Sequence, residues 1–102
     1  MKLLHLSHVL VGLLLLYISI KREVHIAFYY IILLIAIIAL LHHGYKFIKT
    51  LHWLYLFHLI VIIPILFILG LLQNNSPEYV FEILIFIAFG TIGFHGYKIL
   101  KD

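Results

Sequence analysis

Four apolar runs separated by short breaks organise the chain: Leu3 to Ile20, Val24 to Tyr45, Thr50 to Leu72 and Pro77 to Tyr97. Each is long enough to cross the roughly 30 Å of a bilayer's hydrocarbon, which takes about 20 helical residues. Backbone amides in lipid must be satisfied inside their own segment or in a closed barrel, and the alternation of a barrel strand is absent, so four helices are predicted. The breaks are Lys21-Arg22-Glu23, Phe47-Ile48-Lys49 and Gln73-Asn74-Asn75-Ser76. Ser76-Pro77-Glu78 reads as a helix start, with serine as N-cap, proline in the first turn and an acid at the positive dipole end. Pro64 interrupts the third run near its middle, where the missing N–H predicts a kink.

Composition supports the membrane reading: 66% of the residues are hydrophobic and 11% charged, against roughly half and a quarter in a soluble domain. Met1-Lys2 and the following run invite comparison with a signal peptide. His5 and His8 fall inside its would-be apolar core, however, and Tyr17-Ile18-Ser19 is a poor cleavage site, so the segment is read as a span. Lys2, Lys46, Lys49, Lys98 and Lys101 border one side and only Lys21 and Arg22 the other, which by the positive-inside rule puts both termini on the cytoplasmic side. The net charge of +3 follows from these flanking lysines, which form no nucleic-acid patch. Without cysteine there are no disulfides, thiolate metal sites or iron–sulfur clusters.

The two halves resemble each other. His43-Gly44-Tyr45-Lys46 and His95-Gly96-Tyr97-Lys98 are each followed by Lys49 or Lys101, and aligning His8 with His58 superposes Leu16-Tyr17-Ile18 on Leu66-Phe67-Ile68. The expectation is one transmembrane domain over residues 1–102, with a first hairpin of about 1–49 and a second of about 50–102. Repeats running in the same sense are related by an axis along the membrane normal. The fold class is thus an all-α, polytopic four-helix bundle, up-down-up-down, made of two parallel-repeat hairpins.

Chemistry is concentrated in the eight histidines. Seven lie towards the cytoplasmic side of this threading and only His25 towards the other. Ionisable groups inside a membrane are costly and mark ion paths, proton relays or cofactor ligands. His8, His43, His58 and His95 occupy repeat-related positions at similar depth, one per helix. The expected pairing is His8 with His43 in the first hairpin and His58 with His95 in the second. His5, His42 and His52 form a second tier, read first as interfacial residues that hydrogen-bond headgroups or water.

Imidazole suits zinc, copper or iron, and two histidines on membrane helices are a common way to hold a b-type haem. The leading expectation is therefore a membrane protein binding haem or a histidine-ligated metal through those four residues, with electron transfer as its use. Gly12, Gly44, Gly90, Gly93 and Gly96 are candidates for letting a macrocycle or a helix approach. Tyr45, Tyr55 and Tyr97 are candidates for fixing a ring tautomer, or else part of an aromatic belt with Trp53 and Phe57. A histidine-box diiron enzyme is disfavoured because the H-x-x-H-H spacing is missing.

The second expectation is a proton or cation channel or transporter using the same histidines, since imidazole titrates near neutral pH. Its far-side groups would be Glu82 and His25, with Glu82 also a candidate partner for Lys21, Arg22 or His25. The third is a structural or oligomerising protein without cofactor. Expected partners are the lipid bilayer and further copies of the chain, and no nucleic acid. The run His58-Leu59-Ile60-Val61-Ile62-Ile63-Pro64, with the later Phe94-His95-Gly96-Tyr97, resembles small uncharacterised four-helix membrane proteins of large algal and protist DNA viruses. That resemblance implies a multi-pass membrane protein and carries no activity; a bacterial, host-cell or viral membrane would suit it.

Overall fold

A computed structural model describes residues 2–101; Met1, Asp102 and the side chain of Lys2, counted above among the orienting lysines, lie outside the description. The described residues are helical almost throughout and contain no strand. Helix α1 covers Lys2–Lys21, α2 Ile26–Thr50, α3 Trp53–Phe57, α4 Ile63–Leu72 and α5 Glu78–Lys101. A π turn over His58–Ile62 joins α3 to α4. Among the described residues four stretches are long and apolar enough to cross a membrane: Leu3–Lys21, Ile26–Thr50, Trp53–Asn75 and Glu78–Lys101. This fits a multi-pass membrane protein, as the apolar runs predict.

The π turn is the local answer to Pro64. Proline has no N–H and its ring crowds the carbonyl four residues earlier. Inserting one extra residue in the turn moves the ladder out of that ring's way, and the Ile63 N–H donates to the His58 carbonyl, five residues back. Helix three is thereby re-phased around His58 rather than ended.

Non-glycine residues in the left-handed region close three helices: Arg22 (φ 60°), Leu51 (φ 55°) and Gln73 (φ 57°). Each donates its N–H to the carbonyl four residues back, that of Ile18, Phe47 or Leu69 respectively. Such a backbone costs an L-residue roughly 1–2 kcal/mol relative to glycine. Histidines cap the following helices. His25 accepts the Ala27 N–H on Nδ1 and His52 accepts that of Leu54, each at 3.1 Å. Ser76, expected to cap α5, instead closes the preceding turn by donating its hydroxyl to the Gln73 carbonyl at 2.7 Å.

The chain forms two compact units, residues 1–23 with 77–102 and residues 24–76. In the first, α1 packs antiparallel on α5. Gly12 makes this approach close, because a Cβ there would lie 2.7 Å from Ile92 Cγ1 and 3.3 Å from the Ala88 carbonyl oxygen. At the end away from the histidines Arg22 holds both carboxylate oxygens of Glu78, with Nη2 to Oε1 at 2.8 Å, and its guanidinium lies over the Phe81 ring. Arg22 thus takes Glu78 as its ion-pair partner.

In the second unit α2 packs antiparallel on the broken helix α3–α4. Gly70 is its close contact, where a Cβ would fall 2.5 Å from Leu33 Cγ and 3.3 Å from the Leu33 amide nitrogen. Close approach therefore falls at Gly12 and Gly70. At Gly90, Gly93 and Gly96 a Cβ would meet no neighbouring element within 4 Å among the described residues, and at Gly44 it would meet only Leu59 Cδ2 at 4.0 Å.

The alignment of the halves extends to burial. Shifting α1 by fifty residues carries buried Leu15 and Ser19 onto buried Ile65 and Leu69, and shifting α2 by fifty-two carries buried Tyr29, Ile32 and Ala36 onto buried Phe81, Leu84 and Ala88. Each unit accordingly combines one helix from each half of the sequence.

Candidate functional site

Each unit holds a cluster of imidazoles at one end. In the first, the rings of His8 and His95 lie 4.3 Å apart between centroids, tilted by 32°. His5 approaches from the preceding turn of α1, its ring centroid 5.0 Å from that of His95. The two Nδ1 atoms of His5 and His95 are 2.8 Å apart. One of these nitrogens must be the donor and the other the acceptor, so the pair shares a single proton along an N–H···N line.

His8 is oriented by its own helix. Its Nδ1 lies 2.8 Å from the Leu4 carbonyl oxygen, and since a carbonyl only accepts, Nδ1 carries the proton. In the neutral ring the lone pair is therefore on Nε2.

The second unit repeats the arrangement. His43 stacks on His58 with centroids 4.4 Å apart and planes 27° from parallel. The His58 Nδ1 donates to the Leu54 carbonyl at 2.7 Å, as His8 does to Leu4. Where His5 stands in the first cluster, the fifty-residue shift puts Tyr55, whose ring centroid lies 5.9 Å from that of His43.

The four repeat-related histidines thus meet as His8 with His95 and His43 with His58. The pairing joins the first helix to the last and the second to the third, not the two helices of each hairpin. The sequence repeat equates helix one with three and two with four and is compatible with either pairing, so sequence equivalence left the choice to packing.

The other histidines separate from these clusters. His5, His8, His43, His58 and His95 are half-buried, whereas His25, His42 and His52 are exposed. His52 and His25 serve as helix caps. His42 sits edge-on to His43 at 5.2 Å. His5, placed in the second tier by the sequence, hydrogen-bonds His95. Its i, i+3 spacing from His8 was the available signal, since it puts both rings on one helix face. Glu82 is exposed on α5.

Ring geometry bears on what these clusters can hold. Two axial histidines on one iron put their nitrogens on opposite sides of it at about 2 Å each, so their centroids stand roughly 6 Å apart. The two pairs, at 4.3 and 4.4 Å, are closer than that and so do not bracket a haem. Among the described residues no group of three His, Cys, Asp or Glu side chains is arranged to hold a metal ion.

Below the first cluster the unit is apolar: Leu15 and Ile18 on α1 and Val80, Leu84 and Ala88 on α5 are buried. Buried Ser19 spends its hydroxyl on the Leu16 carbonyl at 2.8 Å. Compared with known protein families, characterised proteins and solved structures, the chain matches none.

Proposed function

We propose that the chain is an up-down-up-down membrane protein with both termini on the cytoplasmic side, whose imidazole clusters are the proton-exchange sites of a proton or cation pathway. The observation that carries this reading is the 2.8 Å contact between the Nδ1 atoms of His5 and His95, with the tilted His8 ring 4.3 Å from that of His95. A proton arriving on the Nε2 of one ring lets that ring pass its Nδ1 proton to the second, which releases the proton on its own Nε2. Each ring ends neutral, and rotation of the rings resets the pair. Histidine is the side chain whose ordinary titration suits such a cycle near neutral pH.

Because the core of the first unit is apolar, a continuation of the path from its cluster would run over that unit's outward face, where Glu82 is exposed towards the far end; His25 is exposed at the corresponding end of the second unit. Further copies of the chain would enclose it. The test is collapse of an imposed pH gradient in proteoliposomes. The wild type is expected to dissipate the gradient, and the His5→Phe, His95→Phe double variant to fall to the rate of protein-free vesicles. Equal rates for the two proteins would overturn the reading.

A second reading, binding of zinc, copper or iron with electron transfer, is favoured by His8 and His58. Each gives its Nδ1 proton to a backbone carbonyl and leaves an Nε2 lone pair, which is how ligating histidines are oriented. Elemental analysis of purified protein decides it: stoichiometric metal that disappears in His8→Phe and His58→Phe supports ligation, and metal-free active protein rejects it.

A further inference from the structure

We infer that the two clusters are copies of one three-ring site in which Tyr55 stands where His5 stands in the other, so that a single substitution sets how many titrating rings each holds. The inference deepens the proton-exchange reading and rests on it for its use, though not for its test. Its basis is the coincidence of several independent features under the same two shifts. Fifty residues carry Leu4 to Leu54, His5 to Tyr55 and His8 to His58, and fifty-two carry His43 to His95.

The contacts follow the sequence. Histidine to i−4 carbonyl bonds measure 2.8 and 2.7 Å, and histidine stacks 4.3 and 4.4 Å with tilts of 32° and 27°. The third ring lies 5.0 Å from His95 in one cluster and 5.9 Å from His43 in the other. Leu15 with Ile65 and Ala36 with Ala88 are buried alike below them. A composition rich in leucine and isoleucine matches by chance at single positions, but it does not reproduce a stack, a carbonyl bond and a third ring at once.

Chemistry gives the difference its meaning. Imidazole takes up and releases protons between roughly pH 5 and 8, whereas a phenol does not. Among the repeat-related positions the first cluster therefore holds three such rings and the second two, with the exposed His42 ring edge-on to His43 at 5.2 Å as an imidazole that has no counterpart in the first cluster. Two imidazoles joined by a hydrogen bond titrate as a pair, in steps that belong to both. His95 faces His5 and His8 from α1, with Lys98 one turn along its own helix. His43 faces Tyr55 and His58 from the broken helix, with His42 beside it. Tyr55 is in this account a residue that sets proton capacity by taking the place of a titrating ring.

The experiment is a histidine-resolved NMR titration of the full chain in lipid nanodiscs, with Tyr55→His, His5→Tyr and the exchange of both. In Tyr55→His, the His43 signals should acquire a coupled, two-step titration like that of His95 in the wild type, and in His5→Tyr those of His95 should lose it. The double exchange should transfer the behaviour from one cluster to the other. Unchanged His43 titration in a folded Tyr55→His protein, judged by an unaltered backbone spectrum, would overturn the equivalence. Should Tyr55→His misfold, His5→Tyr alone decides, because a His95 titration indifferent to it is equally fatal. Gradient dissipation in the same variants separates the ideas: coupling that moves as described without any flux sinks the proton pathway and leaves the duplicated site standing.

Discussion

Replacing Gly12 by alanine tests whether the spacing of α1 and α5 governs the imidazole bond. Gly12 lies one turn beyond His8, and Ile92 one turn before His95, so their contact sits directly under the first cluster. A Cβ at position 12 would lie 2.7 Å from Ile92 Cγ1, whereas carbon atoms rest at about 3.5–4.0 Å. Relief requires the helices to part by roughly 1 Å at this level. The same movement would stretch the His5–His95 contact from 2.8 Å beyond the roughly 3.2 Å at which such bonds end.

Overpacking of this kind costs about 1–3 kcal/mol, and the lost hydrogen bond about 1 kcal/mol more. Alanine returns about 1 kcal/mol through its better helix propensity. The packing term wins, and the variant should be less stable by roughly 1–3 kcal/mol. Thermal unfolding in detergent micelles measures this, with gradient dissipation read in parallel. Adding Ile92→Ala should restore the His5–His95 bond, because only the 3.3 Å approach to the Ala88 carbonyl oxygen and the 3.4 Å approach to the backbone nitrogen of residue 92 then remain. A Gly12→Ala protein as stable and as active as the wild type would refute the reasoning.

Other outcomes follow from the helix ends and the pairing. Leu51→Gly should raise stability by about 1 kcal/mol by relieving the left-handed backbone, measurable as a higher melting temperature without change in flux. His52→Asn should keep the cap and His52→Ala lose about 1 kcal/mol of stability; neither should alter gradient dissipation, and loss of flux in the asparagine variant would give His52 a role beyond capping. Residues 1–50 and 51–102 produced as separate chains should co-purify when expressed together, since both units draw a helix from each half; two halves that ignore each other would contradict the pairing.

Much of the fold was legible because a bilayer makes hydrophobic length decisive. The four runs became four membrane-length helices, differing only by a few residues at their ends. Pro64 announced a disturbance, but whether it bends, breaks or re-phases a helix depends on which neighbouring amide finds a carbonyl, and here Ile63 reaches His58. The glycines misled for a related reason. A small side chain permits close approach without compelling it, and the permission was used at Gly12 and Gly70, where Ile92 and Leu33 cross, rather than along Gly90, Gly93 and Gly96.

Within the site, the repeat picked out His8, His43, His58 and His95 but not their partners, because helix-to-helix choice is a tertiary property. His5 and Tyr55 escaped notice as counterparts for the same reason: the alignment pairs unlike residues there, and only the shared geometry around His95 and His43 makes them equivalent. His25 and His52 could not be told from site residues by type, since a histidine beside a helix start can cap it through Nδ1 or leave that work to another group.

The most direct measurement is the 15N–15N coupling across the His5–His95 hydrogen bond, recorded with histidine-labelled protein in bilayers while pH is lowered. A proton-exchanging cluster predicts coupled Nδ1 signals at neutral pH that change together as the cluster takes up protons. Two rings with no coupling between them, each titrating as though the other were absent, would contradict the account.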